Sequence, residues 1–406
     1  MSVDNKVPEI RFKGFSGEWV ENDLGGLIDI RSAARVHKEQ WTEAGVPFFR
    51  TSDVVSIYKG KENTKAYISH EVYQSLSEKI GTLTTGDILI TGGGSIGIPY
   101  LVPNDNPLYF KDADLLWLKN NKKFDGYFLY AFFFSKPFKK HIKSISHTGT
   151  IAHYTIEQAK ATPINTCGDE EQTHIGNYFQ KLDTLINQHQ QKHDKLINIK
   201  KAMLEKMFPK QGETIPEIRF KGFSGDWKKL TLGDLGSVAM NKRIFKHQTT
   251  IVGEIPFFKI GTFGKKADAF ISKALFYEYK EKYPYPVAGD LLLSASGSIG
   301  RVVEYKGEEQ YFQDSNIIWL KHDGKIDNAF LKVFYSIVKW SGLEGSTIKR
   351  LYNKNILDTE ISTPDRQEQT AIGNYFQKLD SLINQHQQQI AKLNNIKLAC
   401  LSKMFI

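Results

Sequence analysis

At 406 residues the chain is too long for one ordinary domain, and its length points to two or three. With 40% hydrophobic and 24% charged residues it has the makeup of a soluble globular protein, and a formal charge of +9 favours a polyanion, DNA or RNA, as partner. Two cysteines, Cys167 and Cys400, cannot build a disulfide framework and sit in no metal-like cluster.

No apolar run follows residues 1–9, so a signal peptide is not expected. The most apolar stretch, 127–134, falls far short of the roughly 20 residues needed to span a bilayer. A cytoplasmic protein is expected.

In chain order, the first feature is Pro-Glu-Ile-Arg-Phe-Lys-Gly-Phe-Ser-Gly-Glu-Trp at 8–19, which returns at 216–227 with one change, Glu18 to Asp226. A basic stretch follows, Arg31, Arg35, His37 and Lys38, expected ahead of the first strand pair, with Arg50 ending the strand-like Val-Pro-Phe-Phe at 46–49. In the second half Lys242, Arg243 and Lys246, with Asn241 and His247, hold the corresponding place, and Lys259 matches Arg50 after Ile-Pro-Phe-Phe. A charge run is commonly only a solvated face. This one recurs in position while its letters change, which suits contact with DNA.

Gly-Asp-Ile-Leu-Ile at 86–90 and Gly-Asp-Leu-Leu-Leu at 289–293 both lead into Gly-Ser-Ile-Gly, at 94–97 and 297–300. Gly92, Gly94 and Gly97 match GxGxxG after an apolar strand, with Asp112 and Asp114 downstream as a dinucleotide site would have. The segment that follows, however, holds Pro99 and Pro103 where a helix should open, and the second copy has Ala295 for its first glycine. A tight connection between strands is the better reading.

Asp125 and Asp327 each precede an aromatic-rich run that reads as a short buried helix with the aspartate near its N-cap. Phe132, Phe133 and Phe134, like Phe334 and Tyr335, belong to the core on this reading. Near the end of each half, Thr148 and Thr150, and Thr347, Lys349 and Arg350, offer hydroxyl and basic groups to DNA on glycine-marked loops.

The last feature of each half is a long helix. Residues 171–191 return at 368–388 with 19 of 21 positions identical. Ile175, Leu182, His189 and Leu196 fall seven apart, as do Ile372, Leu379, His386 and Leu393. Such spacing puts an apolar stripe on one helix face and favours supercoiled pairing, with the histidines as register devices. Some 38 residues of helix make a rod of roughly 57 Å. Two copies of one stripe are self-complementary, so an antiparallel pair about a pseudo-twofold axis is expected; packing of each helix on its own domain is the alternative.

Catalysis has no visible machinery. There is no GxxxxGK[ST] loop, no HExxH and no CxxC pair, and Ser95 and Ser298 lack a GxSxG elbow. A self-sufficient nuclease and a coiled-coil scaffold that binds protein rather than DNA are the competing classes.

Taken together, the opening motif, the Gly-Asp-Ile-Leu-Ile turn, the Glu-Gln-x-x-Ile-Gly-x-Tyr-Phe-x-Lys-Leu-Asp-x-Leu-Ile helix and its Lys-Met-Phe end resemble the specificity subunit of type I restriction–modification systems over essentially the whole chain. The resemblance implies an α+β architecture: target recognition domains at 1–165 and 209–363, each of α/β fold, with spacer helices at 166–208 and 364–406. It implies a non-catalytic subunit that reads a bipartite, asymmetric double-stranded DNA site. Two adenine methyltransferase subunits and two restriction subunits would be its partners. No cofactor is expected on this chain, S-adenosylmethionine, ATP and Mg belonging to the partners.

Overall fold

The computed structural model describes residues 6–145, 153–341 and 349–406. The chain forms two compact units, one of residues 1–190 with 387–406 and the other of residues 191–386. No helix among the described residues is long and apolar enough to cross a membrane.

In the first unit a four-stranded antiparallel sheet runs in the order Asp29–Ser32, Leu115–Lys119, Ile88–Thr91, Pro99–Leu101. A second sheet joins Trp41–Thr42, Tyr67–Ile68, Val46–Phe49 and Tyr109–Phe110, the last pair parallel. A short antiparallel pair, Val20–Asp23 with Pro163–Thr166, ties the start of the domain to its end. The central strand Ile88–Thr91 is buried at every position, as its unbroken apolar run requires. The second unit repeats the plan: Ser237–Met240, Ile317–Lys321, Leu291–Ser294 and Val302–Glu304 form its main sheet, and Lys228–Thr231 pairs with Glu360–Thr363. The domains differ after the strands Val46–Phe49 and Ile255–Phe258, where the first carries the helix Thr51–Tyr58.

The long helices are Asp169–Lys206 and Arg366–Lys403, each of 38 residues. In the first unit Ile175, Phe179 and Leu182 from the start of one helix share a core with Leu393, Ile396 and Leu401 from the end of the other. In the second, Ile372, Phe376 and Leu379 lie with Leu196, Ile199 and Met203. The start of each helix therefore meets the end of the other, an antiparallel arrangement, and both also pack on the domain. Paired charges flank both contacts, Lys397 with Asp183 and Lys200 with Asp380. His189 and His386 are half-buried.

The near-identical segments of the sequence converge on one junction in each unit. Arg11 grips Glu171 with two hydrogen bonds of 2.6 and 2.7 Å and also donates to the carbonyls of Gly17 and Ser16. Arg219 does the same to Glu368, Gly225 and Ser224. The Ile10 N–H donates to the Lys403 carbonyl, and the Ile218 N–H to that of Lys206, so the opening motif satisfies carbonyls that a helix end would otherwise leave unpaired. The Lys-Met-Phe end closes the junction: Phe405 packs on Trp19 and Phe128, Phe208 on Trp227 and Phe330.

The Gln and Gly of the helix motif have structural tasks too. Gln172 accepts from the Asp125 N–H and donates to the Cys167 carbonyl, as Gln369 does with Asp327 and Pro364. Asp125 and Asp327 are the N-caps expected, each accepting two backbone N–H groups. Gly176 and Gly373 let the long helices approach these caps, where any Cβ would collide.

Candidate nucleic-acid interface

The first strand of each main sheet delivers the chain to the basic stretch. Arg31 lies inside the strand Asp29–Ser32, not ahead of it as the sequence suggested. Its guanidinium is held by Asp29 and the Ile80 carbonyl and lies 5.6 Å from the Trp117 ring centroid. Beyond the strand, one turn of 3₁₀ helix follows in both units, Lys38–Gln40 and Lys246–Gln248. Each turn is locked the same way: Gln40 accepts from the His37 N–H and Gln248 from the Phe245 N–H, both at 2.9 Å. The two units thus present one turn geometry carrying different side chains.

The exposed faces of those turns are His37 and Lys38 in one unit and Phe245, Lys246 and His247 in the other. Phe245 and His247 stack nearly parallel, at 5.9 Å and 9°. Among the described residues the side chains of Arg35, Lys38, Lys246 and Lys349 have no hydrogen-bond or ion-pair partner, and all four are exposed. Unpaired cations of this kind are the ones that displace counterions from a phosphate backbone.

Other candidates are engaged within the fold. Arg50 holds Asp53 at 2.8 and 3.1 Å and lies over Trp41, and the bond to Asp53 raises its already high pKa. Lys259 pairs with Asp268 at 2.9 Å. Lys242 is exposed, its ammonium 4.9 Å from the Tyr283 ring centroid. A guanidinium or ammonium with a carboxylate partner already in place gains less from a phosphate than a free one does.

In the second unit several groups meet around the turn 314–316. Arg243 bonds Asp314 at 3.0 Å, and Arg350 bonds Asn316 at 2.8 Å. Ser296, in the glycine-rich connection, donates to the same Asn316 oxygen at 2.7 Å. That connection joins strands, as expected, with Gly297 and Gly300 at positive φ, and its first-unit counterpart has Gly94 and Gly97 so placed. A hydroxyl at the end of each preceding strand pins it: Thr91 receives the Ile98 N–H and Ser294 the Arg301 N–H, both at 2.9 Å. Arg301 and Asn316 escaped sequence reasoning. Arg301 does follow a Gly-Ser-Ile-Gly turn, but Ile98 holds that place in the first half, so no repetition marked it. Thr148, Thr150 and Thr347 lie outside the described residues.

The sequence pattern of the type I restriction modification DNA specificity domain matches residues 16–198 and again 224–395. The chain belongs to this family. As a specificity subunit it supplies recognition and no catalysis of its own. A relative named for a type I restriction enzyme specificity subunit, from Haemophilus influenzae, is 54% identical over 158 residues, a match spanning 39% of this chain and 41% of that protein. Another, the MjaX specificity subunit of Methanocaldococcus jannaschii, is 22% identical across 92% of this chain and 90% of its own length. Among solved structures, the type I S subunit from M. genitalium superposes with a TM-score of 0.58 at 16% identity, covering 98% of this chain and 99% of that one. A structure of a type I restriction–modification system described for its complex assembly gives 0.50 at 15% identity, covering 94% and 96%. At such identities these likenesses speak for the fold of the specificity subunit.

Proposed function

We propose that each unit reads one half of a bipartite, asymmetric DNA site and that the long helices set the gap between the halves. The observation that carries this reading is the pair of 3₁₀ turns, locked identically by Gln40 and Gln248 while their exposed residues differ. One scaffold with unlike side chains suits two readers of unlike sequences. Arg35, Lys38, Lys246 and Lys349 supply phosphate contacts, and Arg243, Arg350 and the turn side chains act nearer the bases. Joining two modest readers through a stiff spacer makes one selective binder by effective concentration.

On the same reading the subunit works in the cytoplasm, in a complex with two adenine methyltransferase subunits and two ATP-driven restriction subunits. Those partners hold S-adenosylmethionine, ATP and Mg; this chain holds none. Sequencing modified adenines in cells that carry this chain with its methyltransferase tests the reading. Methylation at a two-part motif with a fixed gap is expected. Methylation at a single undivided motif, or none dependent on this chain, would overturn it.

A further inference from the structure

A second turn follows the 3₁₀ turn in each unit. Counted from the repeated opening motif, Thr42-Glu43-Ala44-Gly45 of the first unit occupies the places of Thr250-Ile251-Val252-Gly253 in the second. Both turns are locked alike: Thr42 Oγ1 donates to the Ala44 carbonyl at 2.8 Å and Thr250 Oγ1 to the Val252 carbonyl at 2.7 Å. In the second unit Thr250 and Phe270 exchange backbone hydrogen bonds of 3.0 and 2.9 Å. Gly253 lies so close that a Cβ there would come within 2.7 Å of the Phe270 Cβ. Thr249 ties the turn back to its neighbour, donating both N–H and hydroxyl to the Lys246 carbonyl.

The tip of this fixed turn is apolar. Ile251 and Val252 are 86% and 79% exposed, more than any other large apolar side chain among the described residues. The same turn forms in the first unit with Glu43 and Ala44, so folding does not require them. A stiff pair of β-branched side chains held out in water marks a contact surface.

The charge beside the tip says which kind of contact. The stretch 241–253 carries Lys242, Arg243, Lys246 and His247 and no carboxylate, whereas its counterpart, 33–45, carries Glu39 and Glu43. Carboxylates beyond the stretch are engaged: Glu254 accepts from the Lys273 N–H at 3.2 Å, Asp268 pairs with Lys259, and Asp314 with Arg243. An apolar tip among cations fits a polyanion that also offers apolar groups. Duplex DNA offers one in its major groove, the thymine C5-methyl. Two adjacent branched side chains make a blunt surface, suited to methyl groups on a groove floor rather than to a gap between stacked bases.

We propose that Ile251 and Val252 are specificity-determining residues that pack on thymine methyl groups in the half-site read by the second unit. The proposal rests on the reading of each unit as the reader of one half-site. Each methyl buried in this way strengthens binding about fourfold.

The test is fluorescence anisotropy of the chain, assembled with its methyltransferase subunits, on the mapped motif duplex with thymine replaced by uracil in one half or the other. Uracil keeps the pairing and lacks only the methyl. The unaltered chain is expected to bind about fourfold more weakly for each contacted thymine replaced. The variant Ile251→Ser with Val252→Ser, altered only at exposed positions, is expected to melt like the parent. It should bind the natural duplex as weakly as the parent binds the uracil one, and ignore uracil in that half alone. A variant that keeps the parent's thymine dependence in both halves would overturn the proposal, as would a parent indifferent to uracil in both. A variant that sheds methyltransferase subunits while keeping that dependence would make the tip a protein contact, and overturn it too. A parent complex with no preference for the motif over a scrambled duplex would instead remove the half-site reading on which it rests.

Discussion

Gly176 lies inside the helix Asp169–Lys206, where alanine ordinarily outperforms glycine by about 0.8–1.0 kcal/mol. The structure reverses that expectation. A Cβ at 176 would overlap Asp125 Oδ1 and sit 2.7 Å from its Cγ and 3.1 Å from the Phe128 nitrogen. The carboxylate is not free to turn away, because Oδ1 accepts from the N–H groups of Tyr127 and Phe128 at 3.0 and 2.9 Å. Losing such a cap costs about 0.5–2 kcal/mol. If the helix retreats instead, the Gln172 bonds to Asp125 and Cys167 stretch, and overpacking of this kind costs about 1–3 kcal/mol. Set against a helix gain of about 1 kcal/mol, the overpacking cost leaves Gly176→Ala destabilising the protein by up to roughly 2 kcal/mol. Urea denaturation followed by circular dichroism measures it. Gly26→Ala is the control, since a Cβ there meets nothing within 4 Å. If Gly176→Ala raised the midpoint by the amount helix propensity alone supplies, the close-approach reasoning would be refuted.

Three further outcomes follow from the buried charges and thiol. Arg219→Met leaves Glu368 uncompensated with only 1% of its side chain exposed, at an expected cost of about 3–5 kcal/mol in chemical denaturation; a loss under about 1 kcal/mol would contradict the junction described. Burial, with the neighbouring Glu171 carboxylate adding to it, pushes the Cys167 thiol up to about 12. Since the thiolate is the nucleophile, iodoacetamide at pH 8 should leave Cys167 unmodified by peptide mass spectrometry, and rapid labelling in the folded chain would count against it. Burial also holds Asp290 above the usual carboxylate range, so the folded state binds that proton more tightly than the unfolded state does. Stability from this group then falls as pH rises above 3.8 through its folded value. Asp290→Asn should therefore melt above the parent at pH 7, with the gap closing in acid, and a variant no more stable at pH 7 would refute the sign.

Much of this architecture is legible in the sequence because duplication writes it twice. The heptads at Ile175, Leu182 and Leu196 and at Ile372, Leu379 and Leu393 mark the two long helices, and Asp125 and Asp327 mark the N-caps of the short helices Gly126–Phe132 and Asn328–Ile337 by local chemistry alone. The reason for the repeated opening motif is not legible, since Arg11 meets Glu171 across 160 residues and neither residue signals the other. Gly176 likewise reads as a helix defect until the Asp125 cap is seen beside it. For the basic residues, charge and position say nothing of partners: Arg50 beside Asp53 and Lys246 without one look alike in the sequence. The apolar tip at Ile251 and Val252 is visible in sequence only by difference, once the register with Glu43 and Ala44 is known.

Exchange of residues 20–155 for those of a relative with another target tests most directly whether each unit reads its own half-site. Mapping of modified adenines should show one half of the motif changed, with the other half and the gap length retained. A change in both halves, or in neither, would contradict separate reading by the two units.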